Sequence, residues 1–252
     1  MSRVMNFNSG PGALPLPALE RAQAELLDFA GTGMSVMEHS HRGKDYGAVH
    51  EEAQALLREL LGLSDRYRVL FLQGGASFQF AQVPLNLLGP GRTAAYAVHG
   101  VWGEKALAEA KATAALTGGA VHLAVSTGQG EGAPSYNRAP RPDEYRVPEG
   151  AAYLHVTTNE TIHGIQLAAA EGVALEAALP AADGVPLVGD MSSDFLWRPT
   201  DLTRFGLVYA GAQKNIGPSG LAVVLVRDDV LARCRTDLPK MLRFDVAASN
   251  DS

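Results

Sequence analysis

Strand-like and helical segments alternate along most of this chain, and that order constrains the fold more than any other feature. Helical spacing of apolar residues occurs at 18–29, 46–61, 77–88 and 102–115. Short apolar runs indicate strands at 67–72, 93–98, 121–125, 151–156, 186–189, 207–210 and 221–227. Because crossover helices between parallel strands produce this order, we predict an α/β fold with about seven strands in a mostly parallel sheet flanked by helices.

Two stretches depart from the alternation. Residues 126–148 are rich in Gly, Pro, Arg and Ser and lack an apolar period, which predicts a long surface connection. After the last predicted strand, the chain runs on to residue 252 with no periodic segment, so we expect no closing helix there.

Composition excludes several classes of protein. Of the 252 residues, 46% are hydrophobic, which suits a globular domain and excludes disorder. The net charge of -6 argues against a nucleic-acid partner, and no window has the apolar length of a membrane span. A single cysteine, Cys234, cannot form an internal disulfide, and the N-terminus lacks signal-peptide order, so we expect a cytoplasmic protein.

Common nucleotide, hydrolase and metal motifs do not match. Gly43-Lys44 is followed by Asp45, which breaks the P-loop pattern, and neither a dinucleotide glycine loop nor a Gly-x-Ser-x-Gly elbow occurs. His39 and His41 lack the spacing of a zinc-protease helix, so we predict no metal site.

A lysine and an aspartate follow two of the predicted strands. Lys214 stands in a turn after strand 207–210, where an amine sheltered from water could attack a carbonyl. Asp190 ends strand 186–189, from which a carboxylate could pair with a protonated ring nitrogen, as pyridoxal chemistry requires. An exposed surface lysine and a turn-capping aspartate are the alternative interpretations.

Two further features fit a phosphorylated aromatic ligand. In QGGAS at 73–77, glycines between a strand and a helix leave the backbone amides of Ala76 and Ser77 free to bind phosphate. Trp102, at the start of the next helix, could stack on a ring, although tryptophan more often packs in a core.

Together these segments resemble the phosphoserine aminotransferase family, a class V group of the fold-type I enzymes that use pyridoxal 5′-phosphate. The resemblance spans the chain, and SHRGK, NETI and AGAQKNIGP are its most specific parts. The matching segments are FNSGPGALP at 7–15, GMSVMEHSHRGKDY at 33–46, VLFLQGGASFQFAQVPLNLL at 69–88, NETIHGI at 159–165, GDMSSDF at 189–195 and YAGAQKNIGPSGL at 209–221.

The resemblance implies a role for each matching residue. Lys214 is expected to bond covalently to the cofactor as the catalytic residue, Asp190 to pair with its ring nitrogen, and Trp102 to stack on the ring. Ala76, Ser77 and Gln213 would hold the phosphate and Thr161 the phenolic oxygen. The substrate side would be formed by Ser9, His41 and Arg42.

The resemblance also implies an activity. It predicts transfer of an amino group from L-glutamate to 3-phosphohydroxypyruvate in serine biosynthesis, by a cytoplasmic homodimer. Residues 1–15 are expected to line the active site and 16–252 to form the large, cofactor-binding domain, with the family's C-terminal small domain missing and turnover by this chain low. Another class V aminotransferase, a cysteine desulfurase and a non-catalytic remnant stay open as alternatives.

Overall fold

The computed structural model describes residues 3–8, 10–130, 135–170, 172–182 and 184–250. All seven predicted strands are present and form one sheet in the order β1-β9-β8-β7-β4-β2-β3, while β5 and β6 form a separate hairpin. In chain order the strands are β1 Tyr67–Gln73, β2 Thr93–Val98, β3 Ala120–Ser126, β4 Tyr153–Thr157, β5 Asn159–Glu160, β6 Ile165–Gln166, β7 Leu187–Asp190, β8 Phe205–Gly211 and β9 Leu221–Arg227.

The sheet is mostly parallel, which confirms the predicted α/β class. Strand β9 runs antiparallel to both of its neighbours, β1 and β8, and the pairings on the other side of β8 are parallel. Strands β1, β2, β4, β7 and β8 therefore end at the same edge of the sheet. In open α/β sheets this carboxyl edge is where ligands bind.

Six α-helices surround the sheet in the part of the chain that the structure describes. They are α1 Leu16–Ala24, α2 Lys44–Leu61, α3 Gly75–Leu87, α4 Val101–Thr117, α5 Asp228–Leu231 and α6 Phe244–Ser249. The first is shorter than the predicted 18–29: none of its residues is buried, and Ala30 has a φ of 52° that a helix does not accept. Without tertiary packing, a short helix has little to extend it.

The core consists of two apolar layers, one on each face of the sheet. One layer includes Leu154, Val156 and Val208 and packs against Leu57 of α2. The other includes Tyr96, Tyr153 and Tyr209 and packs against α3 and α4 through side chains such as Phe80 and Ala110. Both faces of the central strands are therefore buried, which explains why their sequences read as continuous apolar runs.

The expectation of no closing helix is wrong. Helix α6 packs Phe244, which is fully buried, against the α3–α4 layer. Asn86 of α3 holds it there, because its Nδ2 donates to Leu242 O at 2.8 Å and its Oδ1 accepts from Phe244 N at 3.1 Å. At six residues, α6 is too short to show a helical period in the sequence.

The segment 126–148 is irregular, as predicted, but its described residues are anchored. Tyr136 and Tyr145 are buried, and the Tyr136 hydroxyl donates to Glu104 Oε1 at 2.7 Å. Residues 131–134 of this prediction lie outside the described residues. Across the described residues, no helix is both long enough and apolar enough to cross a bilayer.

Candidate active site

A cavity of about 170 Å³ opens at the carboxyl edge of the sheet, between the ends of β4, β7 and β8 and the start of α3. It brings together seven of the residues predicted for the cofactor site. These are Ala76, Ser77, Trp102, Thr161, Asp190, Gln213 and Lys214. These residues come from five separate segments of the chain, and the fold places them around one cavity.

Asp190 forms the buried end of this cavity. It is 4% exposed, and its Oδ1 accepts from both Ser192 N at 3.0 Å and Ser192 Oγ at 2.6 Å. Ser192 Oγ in turn accepts from Gly211 N at 3.0 Å, which ties the ends of β7 and β8 together. Burial raises the pKa of Asp190 to about 6, and the Ser192 hydrogen bonds oppose that rise. The site therefore holds an oriented carboxylate, and among the described residues no cationic side chain forms an ion pair with it.

Lys214 lies in the turn after β8 and is half-buried. Its Nζ lies 5.8 Å from the centre of the Trp102 ring. The N-terminal segment braces this turn, because Gly12 N donates to Gln213 O at 2.6 Å and a Cβ at Gly12 would come within 2.5 Å of Lys214 O. The amine of Lys214 and the indole of Trp102 therefore border the same cavity, although they belong to distant segments of the chain.

The start of helix α3 supplies an anion site. Gly74 is the N-cap residue, with a φ of 95° that favours glycine, and it has no side chain to occupy the first free N–H groups. Ala76 and Ser77, which carry two of those N–H groups, line the cavity. Gln213 lies beside them, since a Cβ on Gly211 would contact both Gln213 Oε1 and Ala76 N. Backbone donors and the helix dipole together favour a phosphate here.

Two buried polar atoms at the cavity have no partner within the part of the chain that the structure describes. They are Oγ1 of Thr157 and Oε1 of Gln213. A buried polar atom without a hydrogen bond is costly, so such atoms at a cavity indicate a ligand that completes them. Together with the acidic, basic, aromatic and anion-binding groups described above, they fit a phosphorylated pyridine aldehyde.

Two of the predicted substrate residues, His41 and Arg42, lie elsewhere. His41 and Arg42 are exposed and line a second cavity with His50 and Asn250, separate from the one around Lys214. Ser9 lies outside the described residues. Within a single chain, the structure does not bring His41 and Arg42 to Lys214.

Several cavity residues were missed by the sequence analysis. They are Phe80, Thr157, Asn159, Ser192 and Ser193. The signal was available for four of them: Thr157 ends β4, Asn159 follows β4 by two residues, and Ser192 and Ser193 follow the end of β7 by two and three residues. Small polar residues at strand ends are too common for that position alone to mark them.

The geometry agrees with what known proteins show. The Aminotransferase class-V family profile matches residues 4–239. The chain belongs to the class V aminotransferase family. A phosphoserine aminotransferase of Niallia circulans is 53% identical to this class V chain over 250 residues, which make up 99% of this chain and 64% of that protein.

Solved structures of class V relatives give the same result. A phosphoserine aminotransferase from Bacillus circulans subsp. alkalophilus has 51% identity and a TM-score of 0.85, covering 98% of this chain and 63% of that one. A structure of phosphoserine aminotransferase from Trichomonas vaginalis, described as PLP-bound, has 36% identity and a TM-score of 0.84, covering 99% and 69%. The chain therefore spans about two thirds of the length of these phosphoserine aminotransferases.

Proposed function

We propose that this chain binds pyridoxal 5′-phosphate in the Lys214 cavity and acts as a phosphoserine aminotransferase. The reaction transfers the amino group of L-glutamate to 3-phosphohydroxypyruvate and yields O-phospho-L-serine and 2-oxoglutarate. The observation that carries the proposal is the single cavity in which Lys214, Asp190, Trp102 and the start of α3 converge. The names of the relatives support the choice of substrate.

Each residue has a defined task in this proposal. When bound, the cofactor supplies a conjugated ring that accepts electrons from the substrate's α-carbon. Lys214 Nζ would hold the cofactor covalently and would serve as the base that takes the proton from that α-carbon. Asp190 would stabilise a protonated ring nitrogen, and Trp102 would pack against the ring. Thr161 would donate to the phenolic oxygen.

The remaining tasks concern phosphate and substrate. The N–H groups of Ala76 and Ser77, with the Gln213 amide, bind the cofactor phosphate. We assign the lining of the active site to residues 1–15, and we assign Ser9 to the substrate side. The hydrogen bond from Gly12 to the Lys214 turn supports this assignment. The exposed guanidinium of Arg42 suits a carboxylate or phosphate because of its planar pair of donors.

A cysteine desulfurase is the weaker alternative. Such an enzyme needs a reactive thiolate at the substrate, and Cys234 is 9% exposed within the core layer beside α3 and α4. Burial raises the pKa of the Cys234 thiol to about 12, so it stays protonated at neutral pH.

The single cysteine also fits the reducing cytoplasm, where we place the reaction.

Acceptor selectivity tests the proposed substrate. We expect amino transfer from glutamate to 3-phosphohydroxypyruvate to exceed transfer to pyruvate or glyoxylate, because the Arg42 guanidinium offers a positive charge to a phosphate and His41 beside it offers a hydrogen-bond donor. The ratio of the three rates is the measurement, with the Niallia circulans relative as positive control, because a ratio is independent of the absolute rate of this chain. A preference for pyruvate or glyoxylate would assign the chain to another class V activity.

We also propose a homodimer. Large apolar side chains of the N-terminal region are between 76% and 90% exposed, and they are Val4, Met5, Phe7, Leu27 and Met37. An apolar surface of this kind is typical of an interface. A second copy would cover it and would provide a route for His41 and Arg42 of one chain to reach the cavity of the other.

Sedimentation measures this association. We expect the unmodified chain to sediment as a dimer and Leu27→Glu to shift it toward the monomer, since a charge would be buried at the interface. Leu116→Glu is the matched control, because Leu116 is similarly exposed, at 83%, but belongs to α4 rather than to the N-terminal region. A monomer at every concentration, or an equal effect of both variants, would refute the dimer through this surface.

A further inference from the structure

Glu160 is a fully buried carboxylate with no role in the site as described above. It lies in β5, immediately before Thr161, and its exposed fraction is 0%. Its two oxygens accept from the backbone of helix α4: Oε2 from Trp102 N at 2.9 Å and Oε1 from Gly103 N at 2.6 Å. A residue distant in the sequence therefore caps helix α4, whose second residue is Trp102.

The capping bonds are of a strong kind. Trp102 and Gly103 are the second and third residues of α4, where backbone N–H groups have no partner within the helix. A carboxylate at this end also interacts favourably with the helix dipole. Charge-assisted hydrogen bonds of this type are shorter and stronger than neutral ones. The backbone position of Trp102 is thus fixed by Glu160.

The surrounding sequence makes room for this carboxylate. A Cβ on Gly100 would overlap the Glu160 carboxylate, and one on Gly103 would lie 3.3 Å from Glu160 Oε1. On the other side, the β5–β6 hairpin holds Glu160 by pairing it with Ile165. Glycines at these two positions allow the close approach that the hydrogen bonds require.

The two neighbours of Glu160 in this arrangement both line the cavity. Trp102 is reached through its backbone N–H and Thr161 through the peptide bond, and both border the space beside Lys214. We propose that Glu160 is a positioning residue that sets Trp102 and Thr161 relative to each other across the cofactor ring. This inference rests on the proposed cofactor site, because only a bound ring gives the spacing a function.

Removing the charge of Glu160 should leave Lys214 in place and change the position of Trp102. Glu160→Gln keeps the size of the side chain but directs an NH2 group at one of the two N–H donors. In a Trp197→Phe background, which leaves Trp102 as the single tryptophan, we expect quenching of Trp102 fluorescence by acrylamide to increase. This readout uses the chain without cofactor and does not depend on the proposed function.

With pyridoxal phosphate added, the same variant should keep covalent attachment at Lys214 but lose visible circular dichroism, which reports ring orientation. We expect its Kd for the cofactor to rise about tenfold, equivalent to about 1.4 kcal/mol. Glu104→Gln is the matched control: Glu104 lies in the same first turn of α4 and binds the Tyr136 hydroxyl rather than a backbone N–H of Trp102. It should change neither signal.

Hydrogen exchange decides the case even where a variant folds poorly. In the unmodified chain, the Trp102 and Gly103 amides should exchange slowly although they lie in a first turn, and Glu160→Gln should accelerate them. Fast exchange in the unmodified chain, or equal fluorescence and dichroism in the Glu160 and Glu104 variants, would overturn the inference. Absence of any visible band in the unmodified chain would instead refute the proposed cofactor site.

Discussion

Lys214→Ala is expected to abolish covalent binding of pyridoxal phosphate, whereas Lys105→Ala retains it. The comparison is informative because both amines lie near Trp102: Lys105 Nζ is 4.6 Å from the ring centre and Lys214 Nζ is 5.8 Å. Lys214 lines the cavity, while Lys105 is exposed on α4. An amine must reach the aldehyde inside the cavity to attack it.

The measurement is the visible absorbance of the chain with added cofactor, followed by borohydride reduction and mass analysis. The unmodified chain and Lys105→Ala should show the band and gain the mass of one cofactor. A reduced adduct in Lys214→Ala, or loss of the adduct in Lys105→Ala, would show that Lys214 is not the lysine that binds the cofactor.

Asp190→Asn is expected to stabilise the cofactor-free chain above pH 6. The pKa of Asp190 is raised by burial from 3.8 to about 6, so between these pH values the folded state keeps a proton that the unfolded state has lost. The free energy of unfolding therefore falls as pH rises through this window and stays lower above it. Asparagine carries no charge to bury, and its oxygen can still accept from Ser192.

The gain should be roughly 2–3 kcal/mol at pH 8 and should vanish below about pH 4. Urea unfolding of both proteins across this range measures it. Asp245→Asn is the control, because the pKa of Asp245 is shifted in the opposite direction: its hydrogen bond with Arg243 lowers it. Replacing Asp245 should therefore give no gain in stability at pH 8. If Asp190→Asn were less stable than the unmodified chain at every pH, the charged Asp190 carboxylate would not lower the stability of the folded chain as we expect.

With cofactor bound, the same substitution should have the reverse effect on chemistry. Asparagine cannot neutralise a protonated ring nitrogen, so we expect removal of the substrate's α-carbon proton to be slower in this variant. A residue that weakens the empty fold and is needed by the loaded site is typical of a binding group.

The sequence predicted the sheet well because its central strands are buried on both faces. Runs such as 93–98 and 221–227 match β2 and β9 residue for residue. The strand order and the antiparallel direction of β9 were not predicted, since they depend on pairing between distant segments. Helix α6 was missed because Asn86, far away in the sequence, supplies the hydrogen bonds that hold it.

The candidate site shows the same division. Lys214, Asp190 and the QGGAS turn could be recognised because each has a chemical reason to follow a strand. Glu160 could not, because a carboxylate beside a threonine carries no sign of the helix it caps from another part of the chain. Sequence patterns report local constraints, and the contacts that orient a site are mostly non-local.

The most direct test of the cofactor site is a crystal structure of this chain grown with pyridoxal 5′-phosphate. We predict continuous electron density from Lys214 Nζ to the cofactor, its ring against Trp102, its nitrogen at Asp190 and its phosphate at the start of α3. Density joined to Lys105, or a phosphate bound at Arg42 with the Lys214 cavity empty, would contradict the account.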